Sequence, residues 1–353
     1  MNDLEVKIKV FSPGYQAIEW GFQYDQIVDL QTALAQPQRI AVMPVFYSLP
    51  NKFDYRPEFM QFPLNKFDLV LFTDIEWHSQ HELIAWIETT GVDNWLLHTA
   101  GIWLDEPRNP RVIYRPAWSF NFLRWNQPRQ DFPLERPYAF ECLLGARREH
   151  RDFVMLSMQQ SGLLDQGIVT YRDLFLGHWI DQTPDRVSQL FDDPTFQYPY
   201  VSTNLDPAWE VKTQMDNSVS GLVPWEIYNR TWFSVVCETL AQDRIFLSAE
   251  KIAKCLQARR LFVVFAIQGF LQHYKDWGFE TFGDIIDESY DNQPDDIRRW
   301  SLAFEQVQWL CKQDLPALLK KLQPRLDHNH HRLYEFEKEK IQELQNFILD
   351  YLK

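Results

Sequence analysis

The chain has 353 residues, 45% hydrophobic and 15% aromatic, enough for roughly two domains with full cores. Its net charge of -14 argues against a general nucleic-acid binder, which needs a basic footprint, although one small basic cleft is compatible with it. No apolar run approaches the ~18 residues of a membrane span, and the start, MNDLEVKIKVF, reads as a strand rather than a secretory signal. Four cysteines, Cys142, Cys237, Cys255 and Cys311, have neither paired nor metal-type spacing and read as reduced thiols of a cytoplasmic protein.

In chain order, Leu4 to Phe11 alternates like a first or edge strand, and Ile27 to Leu34 reads as a short helix. Arg39 to Tyr47 and Phe67 to Thr73 are buried strands. The second is followed by Asp74, Glu76 and His78, and then by a helix from Ser79 to Thr89 with Ser79 as its cap. Trp95 to His98 and Val112 to Arg115 complete an alternation that predicts an α/β domain with a parallel sheet.

The proline-rich stretch Asn126 to Pro137 is the best linker. After it, strand Tyr138 to Leu144 leads through Gly145 into Arg147, Arg148 and Arg151, a helix to about Leu164, and a strand from Gly167 to Tyr171. Asp181 to Pro224 is polar and reads as loops. A second unit follows: an apolar run, Trp232 to Cys237, ends in Glu238, and a polar loop leads to Ser248-Ala249-Glu250-Lys251. A helix then carries Ile252, Ala253 and Leu256, and the strand Leu261 to Ala266 closes the unit. Ser301 to Leu322 reads as one or two helices and Tyr334 to Leu352 as a long final helix.

Open α/β sheets bind ligands outside the carboxyl ends of their strands, which is where Glu238 and the Ser248 to Lys251 turn fall. With Ser248 as cap, Lys251 lies in the first helical turn, where a cation opposes the helix dipole; phosphate oxygens at that helix end would remove the conflict. The plainer alternative is a lysine turned to solvent. The arginines after Gly145 suit bidentate phosphate contacts, or form a surface cluster paired with Glu149 and Asp152. Glycine-rich phosphate loops, zinc spacings and a GxSxG elbow are all missing, so Rossmann dehydrogenases and P-loop enzymes lose support. Asp327 to His331 holds the one histidine cluster, and its adjacent positions suit a solvated helix start better than a metal.

Glu238, then Ser248-Ala249-Glu250-Lys251 with Lys254, then Phe262-Val263-Val264, resembles the signature of the α1,3-fucosyltransferase family. Gly145 to Arg151 with Gly162 to Gly167 resembles that family's preceding arginine-bearing unit. Gly278 to Phe282 with Asp287 to Asp291 resembles glycosyltransferase-like proteins of phages and bacteria. The resemblance covers about Glu141 to Trp300. It departs from the family pattern at Leu247-Ser248-Ala249, at Thr239 where asparagine is common, and at Arg259-Arg260 where a small glycine is expected.

The resemblance implies a GT-B fold: two Rossmann-like α/β domains facing across a cleft, with a carboxyl-terminal helix crossing back. The implied ranges are 1–130 for the acceptor domain, 131–325 for the donor domain and 326–353 for the helix. It implies an inverting, metal-independent transfer of a sugar, fucose from GDP-fucose in the family, to a glycan or other hydroxyl acceptor. By position, Lys251 and Arg147, Arg148 or Arg151 would hold the diphosphate, with Ser248 and Lys254 beside them. Glu250 would bind the ribose and Glu238 the sugar. An inverting transfer needs a general base, for which Glu76 is the choice; the alternative is that Asp74, Glu76 and His78 cap the following helix. Two other readings stay open: a non-catalytic nucleotide- or glycan-binding protein, and a phage-type nucleic-acid base glycosyltransferase, which the acidic charge disfavours.

Overall fold

The computed structural model describes residues 9–12, 27–45, 62–74, 80–116, 132–145, 148–171, 200–203, 222–242 and 244–353. The chain forms two compact units, one of residues 1–124, 245–248 and 337–353, the other of residues 125–244 and 249–336. Each is an α/β structure built on a parallel sheet, the class expected from the alternation of elements.

The first unit has strands β1 (Val10–Phe11), β2 (Ile27–Val28), β3 (Ile40–Val45), β4 (Leu69–Asp74), β5 (Trp95–Thr99), β6 (Gly101–Trp103) and β7 (Val112–Tyr114). Its sheet runs β2-β1-β3-β4-β5-β7, with every pair parallel. Continuous apolar runs such as LVLFTD in β4 suit strands covered on both faces. The helix expected over Ile27 to Leu34 is shorter. The β-branched pair Ile27–Val28 joins the sheet, and helix α1 (Leu30–Leu34) starts only after Asp29, whose carboxylate accepts from Thr32 N at 2.9 Å. Helix α2 (Gln80–Thr89) buries Leu83 and Ile87, one turn apart, in the core with Val70 and Phe72.

The second unit has strands β8 (Tyr138–Leu144), β9 (Gly167–Tyr171), β10 (Tyr200–Val201), β11 (Thr231–Cys237) and β13 (Leu261–Phe265). Helix α3 (Glu149–Gln160) links β8 to β9. Helix α4 (Trp225–Tyr228) precedes β11, and helix α5 (Glu250–Gln257) precedes β13. The sheet order is β10-β9-β8-β11-β13, with only β10 antiparallel. The chain therefore winds outward from the centre in both directions, from β8 through α3 to β9 and from β11 through α5 to β13. That places a topological switch point between the carboxyl ends of β8 and β11. Gly167 is fixed by packing: a Cβ there would stand 2.5 Å from Cε2 of Phe140.

Two arginines fill the opposite region. Arg259 takes the left-handed conformation (φ 51°) after α5, a position that ordinarily favours glycine, and pairs with Asp327. Arg260 turns inward and is 1% exposed. It donates to Ser234 Oγ, Thr231 Oγ1 and the carbonyl oxygens of Tyr228, Thr231 and Phe233, all within 3.1 Å. Its guanidinium also lies 4.1 Å from the Tyr228 ring centroid. Arg136, at the end of the linker, is clasped between the rings of Phe132 and Trp232. Burial, then the like charge of Arg260, lowers it to about 9.

The loop after Glu238 holds a strand the sequence reading missed. Ile245–Leu247 forms β12, antiparallel to β6 in a separate two-stranded sheet of the first unit. Beyond β13 come helices α6 (Phe270–Asp276), α7 (Asp296–Leu310) and α8 (Leu315–Tyr351). The final helix thus starts well before Tyr334 and runs through Pro324. Its buried residues Leu322, Leu326, Asn329, Leu333 and Phe336 recur at helical spacing. Residues up to 336 belong to the second unit and those from 337 to the first. There, Glu337 pairs with Arg115, buried after β7. No helix among the described residues is long and apolar enough to cross a membrane. All four cysteines are free thiols.

Candidate anion site at the switch point of the second unit

Two helices begin at the carboxyl edge of the second sheet, α3 beside β8 and α5 beside β11. Exposed backbone N–H groups and the dipole make such helix starts attractive to anions. Arg148 is the N-cap residue of α3, in extended conformation and with no side-chain cap. His150 and Arg151 follow in the first turn and are 2% and 4% exposed. Both reach across the switch point to one atom, the carbonyl oxygen of Glu238. It accepts from His150 Nε2 at 3.0 Å and from Arg151 Nη2 at 3.2 Å. The neighbouring acids have other partners as well: Glu149 accepts from Gln242, and Asp152 accepts from the Tyr171 hydroxyl.

Glu238 continues the ladder beyond β11, its N–H donating to Phe265 O at 3.0 Å. Its side chain is fully buried. Oε2 accepts from the N–H groups of Thr239 and Ala249, each at 3.3 Å, whereas Oε1 is buried without a hydrogen-bond partner. Burial raises its carboxyl to about 7, with Lys251 opposing the rise. This arrangement corrects the expected cap of α5. Ala249 is the N-cap residue, with no side-chain cap, and buried Ser248 stands one residue earlier. The Ala249 amide is held instead by Glu238 from the preceding strand.

On α5, Lys251 Nζ donates to Thr239 Oγ1 at 3.1 Å and to Glu250 Oε1 at 3.2 Å. Thr239, one of the departures from the family pattern, therefore holds the lysine. Glu250 and Lys251 side chains each keep 26% of their exposure. Burial alone would raise the Glu250 carboxyl, but Lys251 and Lys254 outweigh it and hold it at about 2. Burial lowers Lys254 to about 8, with Glu250 offsetting part of the fall. His150 is driven well below the usual histidine range by burial and then by the like charges of Arg151, Arg148 and Lys251. Cations from both helix starts thus gather around one neutral imidazole, beside a buried carboxylate oxygen that lacks a partner.

Of the expected site residues, Arg148, Arg151, Glu238, Glu250, Lys251 and Lys254 are described and lie in this one unit, whereas Ser248 is described but belongs to the first unit. Arg147 and Glu76 lie outside the described residues. Two other expected features have structural roles. The Gly278 to Phe282 segment is clamped by Asn329, whose amide exchanges two 2.8 Å bonds with the Glu280 backbone, and by Glu288, which accepts from Phe282 N at 2.6 Å. Asp291 caps α6 through Leu271 N at 3.0 Å and Gln272 N at 3.2 Å. The Asp327 to His331 cluster sits within α8, with His328 on Gly278 O and His330 on Gln257 O, and no metal-binding group occurs among the described residues.

Glu238→Gln isolates the buried carboxyl. The unfolded chain ionises it near 4.5, while the folded protein keeps it protonated up to about 7. Stability is therefore full below pH 4.5, falls as pH rises through this window, and is lower by about 3 kcal/mol above it. The amide keeps an acceptor for Thr239 and Ala249 without the charge. Denaturant midpoints should coincide near pH 4 and favour the variant by pH 8; a difference independent of pH contradicts the assignment.

No protein-family model matches the chain, and no curated protein matches it. Among solved structures the chain is similar to one titled "T4 phage BGT in complex with UDP and Mn2+". It is 11% identical, covers 98% of this chain and 99% of that one, and has a TM-score of 0.42. At that level the likeness assigns no function. The class that the fold and site define is an α/β protein of two parallel-sheet units, one of which carries an anion-suited switch point.

Proposed function

We propose that the chain is a nucleotide-sugar-dependent glycosyltransferase whose donor diphosphate binds at the switch point of the second unit. One observation carries the reading: Arg148, Arg151 and Lys251 converge from two helix starts on His150, which bonds the backbone of Glu238, a buried residue whose Oε1 has no hydrogen-bond partner. Fixed cations at a helix start stabilise the charge that builds on a departing diphosphate. Glu238 Oε1 hydrogen-bonds a sugar hydroxyl, and the partly exposed Glu250 carboxylate, ionised at neutral pH, accepts from the ribose hydroxyls. Arg147, next to Arg148 in sequence, is proposed to contact the same diphosphate.

In the proposed step, a general base takes the proton of the acceptor hydroxyl. The acceptor oxygen then bonds to the anomeric carbon from the face opposite the diphosphate. The carbon–oxygen bond to the diphosphate breaks with inversion, and the leaving oxygen takes the electron pair. Glu76 is the proposed base. The protein's own cations offset the charge that develops on the leaving group, so we assign the transfer as metal-independent. The family resemblance of the Glu238 to Lys251 segment favours GDP-fucose as donor and a glycan or other hydroxyl acceptor.

The test is nucleoside diphosphate release from a panel of nucleotide sugars, GDP-fucose first, with and without EDTA. One donor should be consumed, at a rate EDTA leaves unchanged. Binding without consumption of any donor would overturn the enzymatic reading, and a collapse of the rate in EDTA would overturn metal independence.

A further inference from the structure

His150 had no place in the sequence analysis, yet groups from both helix starts and from the end of β11 act on it. Its Nε2 lies 3.0 Å from the Glu238 carbonyl oxygen, which requires the Nε2–H tautomer and leaves Nδ1 as the atom that can gain a proton. That bond, with the one from Arg151, ties the first turn of α3 to the end of β11. The groups acting on the ring come from every side of the switch point. Arg148 and Arg151 lie on α3 itself, Glu238 follows β11, and Lys251 comes from α5. On α7 the ring meets Trp300, at 5.9 Å between centroids, and the charged neighbours there, Arg299 and Asp296, are paired with each other. Burial first, and then the cationic shell, keep the unliganded imidazole neutral. A bound anion acts on the second cause, since two negative charges among these cations favour a further positive one.

We infer that His150 is a further residue of the anion site: neutral, it positions the Glu238 strand end through Nε2, and it takes a proton on Nδ1 when a diphosphate binds. The inference rests on the proposed site but not on the sugar or the transfer. It makes binding tighter as pH falls. Glu238 titrates in the same direction, so the two groups must be separated by variants.

The experiment is calorimetric titration of the whole protein with inorganic pyrophosphate near pH 7, in two buffers of different ionisation enthalpy. Proton uptake per bound anion is compared among wild type, His150→Gln and Glu238→Gln. Glutamine keeps an N–H donor near the Nε2 position and cannot titrate. The anion's own titration is common to all three proteins, so differences report the side chains. Uptake should fall by about half a proton or more in His150→Gln, with affinity at pH 8 within about threefold of wild type, and should persist in Glu238→Gln.

Equal uptake in wild type and His150→Gln overturns the inference, as does loss of uptake in Glu238→Gln. If His150→Gln does not fold, nitrogen-15 spectra of wild-type imidazoles decide: one ring should pass from the Nε2–H form to the doubly protonated form on adding pyrophosphate, and no change overturns the inference. Binding without proton uptake removes this inference alone. No binding at all removes the site with it.

Discussion

Lys251→Ala weakens binding of the donor by about 10- to 100-fold and lowers transfer further, by about two to three orders of magnitude. A charge-assisted hydrogen bond to a phosphate in a partly buried site contributes about 1.5–3 kcal/mol, which sets the binding loss. The larger loss in turnover follows because charge builds on the diphosphate as its bond to the sugar breaks, and a cation there stabilises that state more than the ground state. The fold should survive the change. Lys251 is partly exposed, its contacts are Thr239 and Glu250, and a cation in the first turn of α5 opposes the helix dipole. Unliganded stability should therefore change by no more than about 1 kcal/mol. Donor titration and steady-state rates measure the effect. Unchanged affinity and turnover would place the diphosphate elsewhere.

Arg260→Ala should lower the stability of the second unit by about 3–5 kcal/mol, a large share of the ~5–15 kcal/mol that holds a typical protein folded. The guanidinium satisfies three backbone carbonyls and two hydroxyls at the amino-terminal side of β11, and all five lose that partner when it is removed. It also faces Glu141, a buried carboxyl on β8 that burial already raises and that Arg260 helps to hold down. Arg260→Lys should recover only part of the loss, because an ammonium cannot reproduce the planar fork that meets five acceptors. The transition assigned to this unit should fall by on the order of 10 °C in the alanine variant. A shift of a degree or two would show that the cluster contributes little.

What was legible in the sequence follows from how local each cause is. β8, β11 and β13 were readable because strands covered on both faces are apolar throughout. Glu238 and Lys251 were readable because a strand end and a helix start are local signals. Ser248 misled because serine is a common cap, whereas the helix is capped one residue later, at Ala249, whose amide is held by Glu238 from eleven positions earlier. β12 was hidden because three residues in a polar loop become a strand only through β6, far away in the chain. The full length of α8 was hidden by Pro324, which locally signals a stop; the buried stripe on either side of it, Leu322 and Leu326 onward, carries the helix through. His150 gave no signal because its partner is a backbone carbonyl, which no side-chain pattern records.

The central claim is that the switch point of the second unit binds a nucleoside diphosphate. The most direct measurement is a thermal-shift panel of GDP, UDP, CDP, ADP and dTDP on wild type and Lys251→Ala. At a hundredfold excess over Kd a ligand adds about 2.7 kcal/mol to the folded state. The account predicts a rise in Tm with one of the five, GDP first, and its loss in the variant. No rise with any of them, or a rise that Lys251→Ala leaves intact, would contradict it.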